Sequence, residues 1–129
     1  AAANNLLAVE DNSGWKADGL LDCGRALLAL KRPEEARKAA DEALALRPQG
    51  HTSAGLNILV GDLELQAGDA KTAAGKYLIV VEFHEDKELK PLAFWKLIQA
   101  LEQQGDRAEA EKYRLKLKTE FPDWKPPVP

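Results

Sequence analysis

Cys23, His51 and His84 are the side chains of this sequence best suited to nucleophilic or metal chemistry, and their surroundings decide whether they do any. His84 lies in the stretch EFHEDKE, where Glu82, Glu85 and Asp86 could hold a cation weakly; the plainer reading is a solvated acidic loop. A zinc site needs several Cys or His ligands at short, regular spacing, and one cysteine with two distant histidines does not supply them. Cys23 falls among Leu20, Leu27 and Leu30 at helical spacing, so it reads as a buried, inert thiol. No glycine-rich phosphate loop is present, because each relevant glycine is explained by packing or by a helix end. The residues give an enzyme no foothold and call for no metal or cofactor.

The bulk of the chain narrows the classes further. Its 129 residues make one domain, 45% hydrophobic and 30% charged, which is an ordinary globular mixture. A net charge of −3 argues against a nucleic-acid surface, and Lys and Arg alternate with Asp and Glu throughout, so no basic cluster reverses that. No apolar run approaches the roughly 20 residues that span a bilayer, which argues against membrane insertion. A single cysteine excludes an internal disulfide and leaves the compartment undetermined. The absence of methionine reads as a processed end or a piece of something longer.

What would position any functional side chain is a repeat. Ala36, Ala73 and Ala110 are spaced by 37 and 37, Gly24 and Gly61 by 37, and Pro48 and Pro122 by 74. Each unit reads as two helices. The first carries apolar residues at helical spacing: Leu20, Cys23, Leu27 and Leu30 in unit one, and Phe94, Leu97, Ile98 and Leu101 in unit three. Gly68 and Gly105 stand where a helix end needs a left-handed residue, and Asp69 and Asp106 then cap the next helix. Unit one has Lys31 in place of that glycine and Pro33 at the first helical position. Pro48 and Pro122 end second helices.

This pattern resembles the tetratricopeptide repeat, whose positions are matched in unit one by Leu20, Cys23, Gly24, Leu27, Ala36, Ala40, Ala43 and Pro48. Unit two keeps Val60, Gly61, Ala73 and Tyr77; unit three keeps Phe94, Leu97, Leu101, Ala110 and Pro122, with Arg114 departing. The implied fold is an all-α solenoid of about three helix-turn-helix units. Residues 17–53, 54–90 and 91–122 would be the repeats. Residues 1–16 would be the helical remnant of an earlier unit or a short capping helix, and 123–129 an extended proline-rich tail in which Trp124 folds back over the last helix. In such proteins Gly24, Gly61, Ala36, Ala73 and Ala110 would let neighbouring helices approach closely.

The resemblance also implies a non-catalytic function: binding a peptide or partner helix in the concave groove built by the first helices. The outward positions of that groove would include Leu21, Arg25, Ile58, Leu59, Asp62, Trp95, Lys96 and Gln99. Of the residues with which family members grip a terminal carboxylate, only Lys96 has a counterpart, so capture of a chaperone tail is not expected. The same apolar residues can instead bury against neighbouring helices, or be covered by earlier repeats or a second copy. A self-associating scaffold segment and a regulatory or targeting domain of a larger protein therefore stay open. Glu34, Glu35, Arg37, Lys38 and Asp41 read as a solvated convex face. The ending KYRLKLKTEFPDW is similar to bacterial envelope members of the superfamily, which leans the expected location toward the periplasm, with the cytoplasm as the alternative.

Overall fold

The computed structural model describes residues 2–127, with side chains from residue 14 onward. Six helices follow one another: α1 (Ala2–Ala29), α2 (Pro33–Ala45), α3 (Gly50–Gln66), α4 (Ala70–Phe83), α5 (Leu89–Gln104) and α6 (Arg107–Glu120). Each packs on its neighbours in sequence, and the only other packed pairs among the described residues are α1 with α3 and α3 with α5. The protein is all-α, built of sequentially packed helices consistent with helical hairpins.

The turns follow from local chemistry. Gly68 and Gly105 take φ of 89° and 84°, the left-handed geometry that closes a helix without a Cβ penalty. Lys31 holds the corresponding place before α2 at φ 62°, a conformation a side chain disfavours. Asp69 then accepts the Thr72 N–H at 3.0 Å and the Thr72 hydroxyl at 2.7 Å, and Asp106 accepts the Glu109 N–H at 3.3 Å. Both satisfy donors that a helix start leaves unpaired. The Thr72 hydroxyl and N–H hold the Asp69 carboxyl below its ordinary value. Pro33 opens α2 without a capping side chain, as expected where a missing N–H does no harm.

The core is divided in two by α3. Leu56, Leu59 and Leu63 face one way, onto Leu21 of α1 and Ala36, Ala40 and Ala43 of α2. Ala54 and Ile58 face the other way, into a second cluster with Tyr77, Val80, Phe94, Leu97 and Tyr113. A helix that is apolar on two faces is one enclosed on two sides, and each Leu or Ile so buried contributes about 1.5–3 kcal/mol. Phe94 meets Tyr113 and Phe121 at ring-centroid distances of 6.3 and 6.4 Å, which ties α6 and its exit to α5.

Two expectations are corrected. The segment 1–16 is not a separate element: α1 runs unbroken from Ala2 to Ala29, because neither Gly14 nor Gly19 takes a left-handed turn that would end it. The side chains of residues 1–13, on which the remnant was aligned, lie outside the described residues. Nor is Cys23 buried; it is exposed, as is Leu30, while among the described side chains of α1 Ala17, Leu21 and Gly24 are buried. Apolar and small residues surround α1 on most of its circumference, so periodicity could not choose a face. The side on which α2 and α3 lie chose it.

Gly24 and Gly61 stand at close helix approaches, and the three alanines are buried. Ala36 and Ala73 are fully buried and Ala110 is 1% exposed. A Cβ on Gly24 would lie 2.7 Å from Leu59 Cδ2, and one on Gly61 would lie 2.5 Å from Tyr77 Cε1. Gly55, which the sequence did not single out, has the same constraint against Leu21 Cδ2 at 2.7 Å.

Candidate interaction surface

The eight residues expected to line a groove divide into two sets. Leu21, Ile58 and Leu59 are 1, 5 and 2% exposed, so they are core, not groove. The reason is the packing of α1 on α3 and of α3 on α5: α3 covers Leu21, Ile58 joins the cluster that α3 shares with α5, and Leu59 packs back on Gly24 of α1 and on α2. Arg25, Asp62, Trp95, Lys96 and Gln99 retain access to solvent.

Asp62 and Lys96 are brought together. Lys96 Nζ donates to both Asp62 carboxylate oxygens at 2.9 Å, which joins α3 to α5. The Tyr77 hydroxyl of α4 donates to Asp62 Oδ1 at 2.5 Å, so one carboxylate ties three helices. Burial, then the Asp62 charge and the hydrogen bond to it, push the Tyr77 phenol far above its usual value, so it remains a donor. The side chains of Asp62 and Lys96 are 22 and 21% exposed, and a pair this sheltered is screened less than one in open water. Sequence reading missed the link because its partners lie 34 residues apart, on two different helices, with no local pattern to join them.

Arg25 leans toward Gly55 and lies 3.6 Å from Asp22, both exposed. Gln99 is exposed, and Trp95 is half-buried against Trp124, with ring centroids 6.4 Å apart and tilted at 55°. The tail therefore returns to α5, not over α6 as expected. Arg37 is not simply part of a solvated face: it pairs with Glu64 of α3 at 2.8 Å.

Neither histidine gathers a metal site, and among the described residues no three His, Cys, Asp or Glu side chains stand close enough to hold one. His51 instead bonds to Asp86, whose Oδ1 also accepts the N–H groups of Glu88 and Leu89 at 3.0 and 2.9 Å. Burial raises the Asp86 carboxyl, but the Leu89 N–H, the His51 ring and the Glu88 N–H together outweigh it and hold the group below its ordinary value. Asp86 thus holds the turn that leads into α5 and is a strut to the start of α3. No described helix is long and apolar enough to cross a membrane.

No family model, curated protein or solved structure matches the chain.

Proposed function

We propose that the chain is a tetratricopeptide-like solenoid acting as a non-catalytic protein–protein interaction module, with a peptide or a partner helix as its ligand. Support for the repeat comes from the helix ends: α2, α4 and α6 begin at Pro33, Ala70 and Arg107, and left-handed residues precede them at 31, 68 and 105. The single observation that carries the functional reading is the series α1–α3–α5, in which, among the described residues, only odd-numbered helices bring their backbones close together beyond their immediate neighbours. Their common side is one continuous surface, and Arg25, the Asp62–Lys96 pair, Trp95 and Gln99 lie along it. With Leu21, Ile58 and Leu59 buried, the ligand is read by polar groups and one tryptophan, not by an apolar trough. A partly exposed aromatic among charged residues is the composition of an interface centre with a polar rim.

The test is selection of a random displayed-peptide library on the immobilised chain. Enriched peptides should share a motif, and their binding should fall at least tenfold with Trp95→Ala and with Lys96→Glu, while Lys71→Glu on α4 leaves it unchanged. Absence of any enriched motif, or binding indifferent to both substitutions, would refute the reading.

A further inference from the structure

The side of α1 turned away from the core carries Trp15, Gly19, Cys23, Ala26 and Leu30 at i, i+4, i+8, i+11 and i+15, all exposed and none charged. Trp15 is 85% and Leu30 66% exposed. In α5, 74 residues on, the register of the first four reads Leu89, Ala93, Leu97 and Ala100, and there every residue is buried. The face left open on α1 is the one with which α5 packs on the helices before it.

The α4–α5 junction shows what such a face receives. Tyr77 and Val80 of α4 supply bulk; Ala93 and Ala100 of α5 make room; Lys96 between them carries the charge that meets Asp62, the partner of Tyr77. Thirty-seven residues after Tyr77 and Val80 stand Arg114 and Leu117 of α6, on a helix that no described helix follows. On α1 the register of Ala93, Lys96 and Ala100 is filled by Gly19, Asp22 and Ala26. Bulk on α6 thus corresponds to small residues on α1. A cation in the place of Tyr77 also corresponds to an anion in the place of Lys96, with Gln99 in the register of Asp62.

We propose that the α5–α6 end of one copy packs on the outer face of α1 of a second copy, head to tail, with Arg114 paired to Asp22. The Asp22 side chain is 78% exposed and its neighbour Arg25 is 3.6 Å away, so it is free to take the new partner. Arg114 already holds Glu102 and Glu111, and its fork of donors accommodates a further carboxylate. A contact between two different faces does not stop at a symmetric dimer and extends into chains or rings. Trp124 opposes it: Leu21 and Ile58 are covered by the next odd helix, and Trp95, in the same register, is covered by the tail. The tail occupies the place of the incoming helix, so association is weak in the intact chain and stronger without Trp124.

The register of this contact rests on the repeat reading, but the contact itself does not depend on peptide binding. A strictly monomeric protein that still binds peptides on its inner face would overturn this inference and leave the proposed function standing.

Sedimentation is measured from micromolar to millimolar concentration. The average mass of Trp124→Ala should climb without levelling at a dimer, and that of the parent should climb less. Arg114→Asp and Asp22→Arg, each placed in the Trp124→Ala background, should weaken association at least tenfold, whereas their equimolar mixture should associate again as alternating chains, because both junctions between unlike copies are charge-matched and those between like copies are not. Gly19→Glu in that background, at a site where an added Cβ meets nothing within 4 Å, should block the same face, with circular dichroism showing each variant folded. A monomeric Trp124→Ala protein, charge reversals that associate like their background, or a mixture that stays monomeric would each overturn the proposal.

Discussion

Replacing Gly61 with alanine tests whether helix spacing or helix propensity governs this fold. The added methyl would lie 2.5 Å from Tyr77 Cε1 and 2.9 Å from Cδ1 and Cζ. Carbon atoms settle at about 3.5–4.0 Å, so the ring must retreat by about 1 Å. Tyr77 has little freedom to do so: it is fully buried, its hydroxyl is held by Asp62, and Asp62 is held by Lys96. Overpacking of this kind costs about 1–3 kcal/mol. Drawing the hydroxyl off its acceptor adds about 1 kcal/mol or more, and the better helix propensity of alanine returns about 1 kcal/mol. The net expectation is a loss of about 2 kcal/mol, read as a fall in the urea midpoint at unchanged slope. Gly75→Ala is the matched control: it also lies in α4–α3 hairpin helix, but its Cβ meets nothing within 4 Å, so it should gain about 0.5–1 kcal/mol. A Gly61→Ala protein as stable as Gly75→Ala would refute the reasoning, because propensity would then outweigh the close approach.

Lys31→Gly should raise stability by about 0.5–1 kcal/mol in the same urea titration, because it relieves the left-handed strain that Gly68 and Gly105 avoid in the equivalent turns; a loss would show that the Lys31 side chain is held by something stronger. Asp86 has a folded-state value below its unfolded one, so its contribution to stability is complete above about pH 4 and is lost as pH falls through the lowered folded value. Asp86→Asn retains an oxygen to accept the Glu88 and Leu89 N–H groups but not the charge, and should flatten the acid limb of the urea midpoint plotted from pH 5 to pH 2; an unchanged limb would mean that other carboxylates govern acid unfolding.

The turns of this protein were legible because single residues determine them. Gly68, Gly105, Asp69 and Asp106 act on the backbone within a few residues of themselves, so their effect is readable without knowing what packs nearby. The close approaches at Gly24 and Gly61 were legible for a related reason: a missing side chain in an apolar helix has few other uses. The buried face of α1 and the burial of the residues expected to line a groove were not. Leu20, Leu21, Cys23, Leu27 and Leu30 offer more than one apolar stripe, and the placement of α2 and α3 selects among them. For the same reason Leu21, Ile58 and Leu59 were placed outward, since the cover over them comes from other helices, the next odd one for Leu21 and Ile58 and the preceding α1 and α2 for Leu59. The Asp62–Lys96 link and the His51–Asp86 strut are likewise tertiary facts, formed by residues whose local surroundings give no sign of one another.

The division of the core by α3 has a consequence for how the chain comes to be folded. Among the described residues α1 and α2 touch nothing beyond α3, so every pairing they require is available once Gln66 has left the ribosome. Loops that close over short separations do so fast, and a chain with only such loops is a rapid folder. During synthesis the first cluster can therefore assemble while the second is still being made, and α3 would present Ala54 and Ile58 as a finished docking edge to the helices that emerge after it.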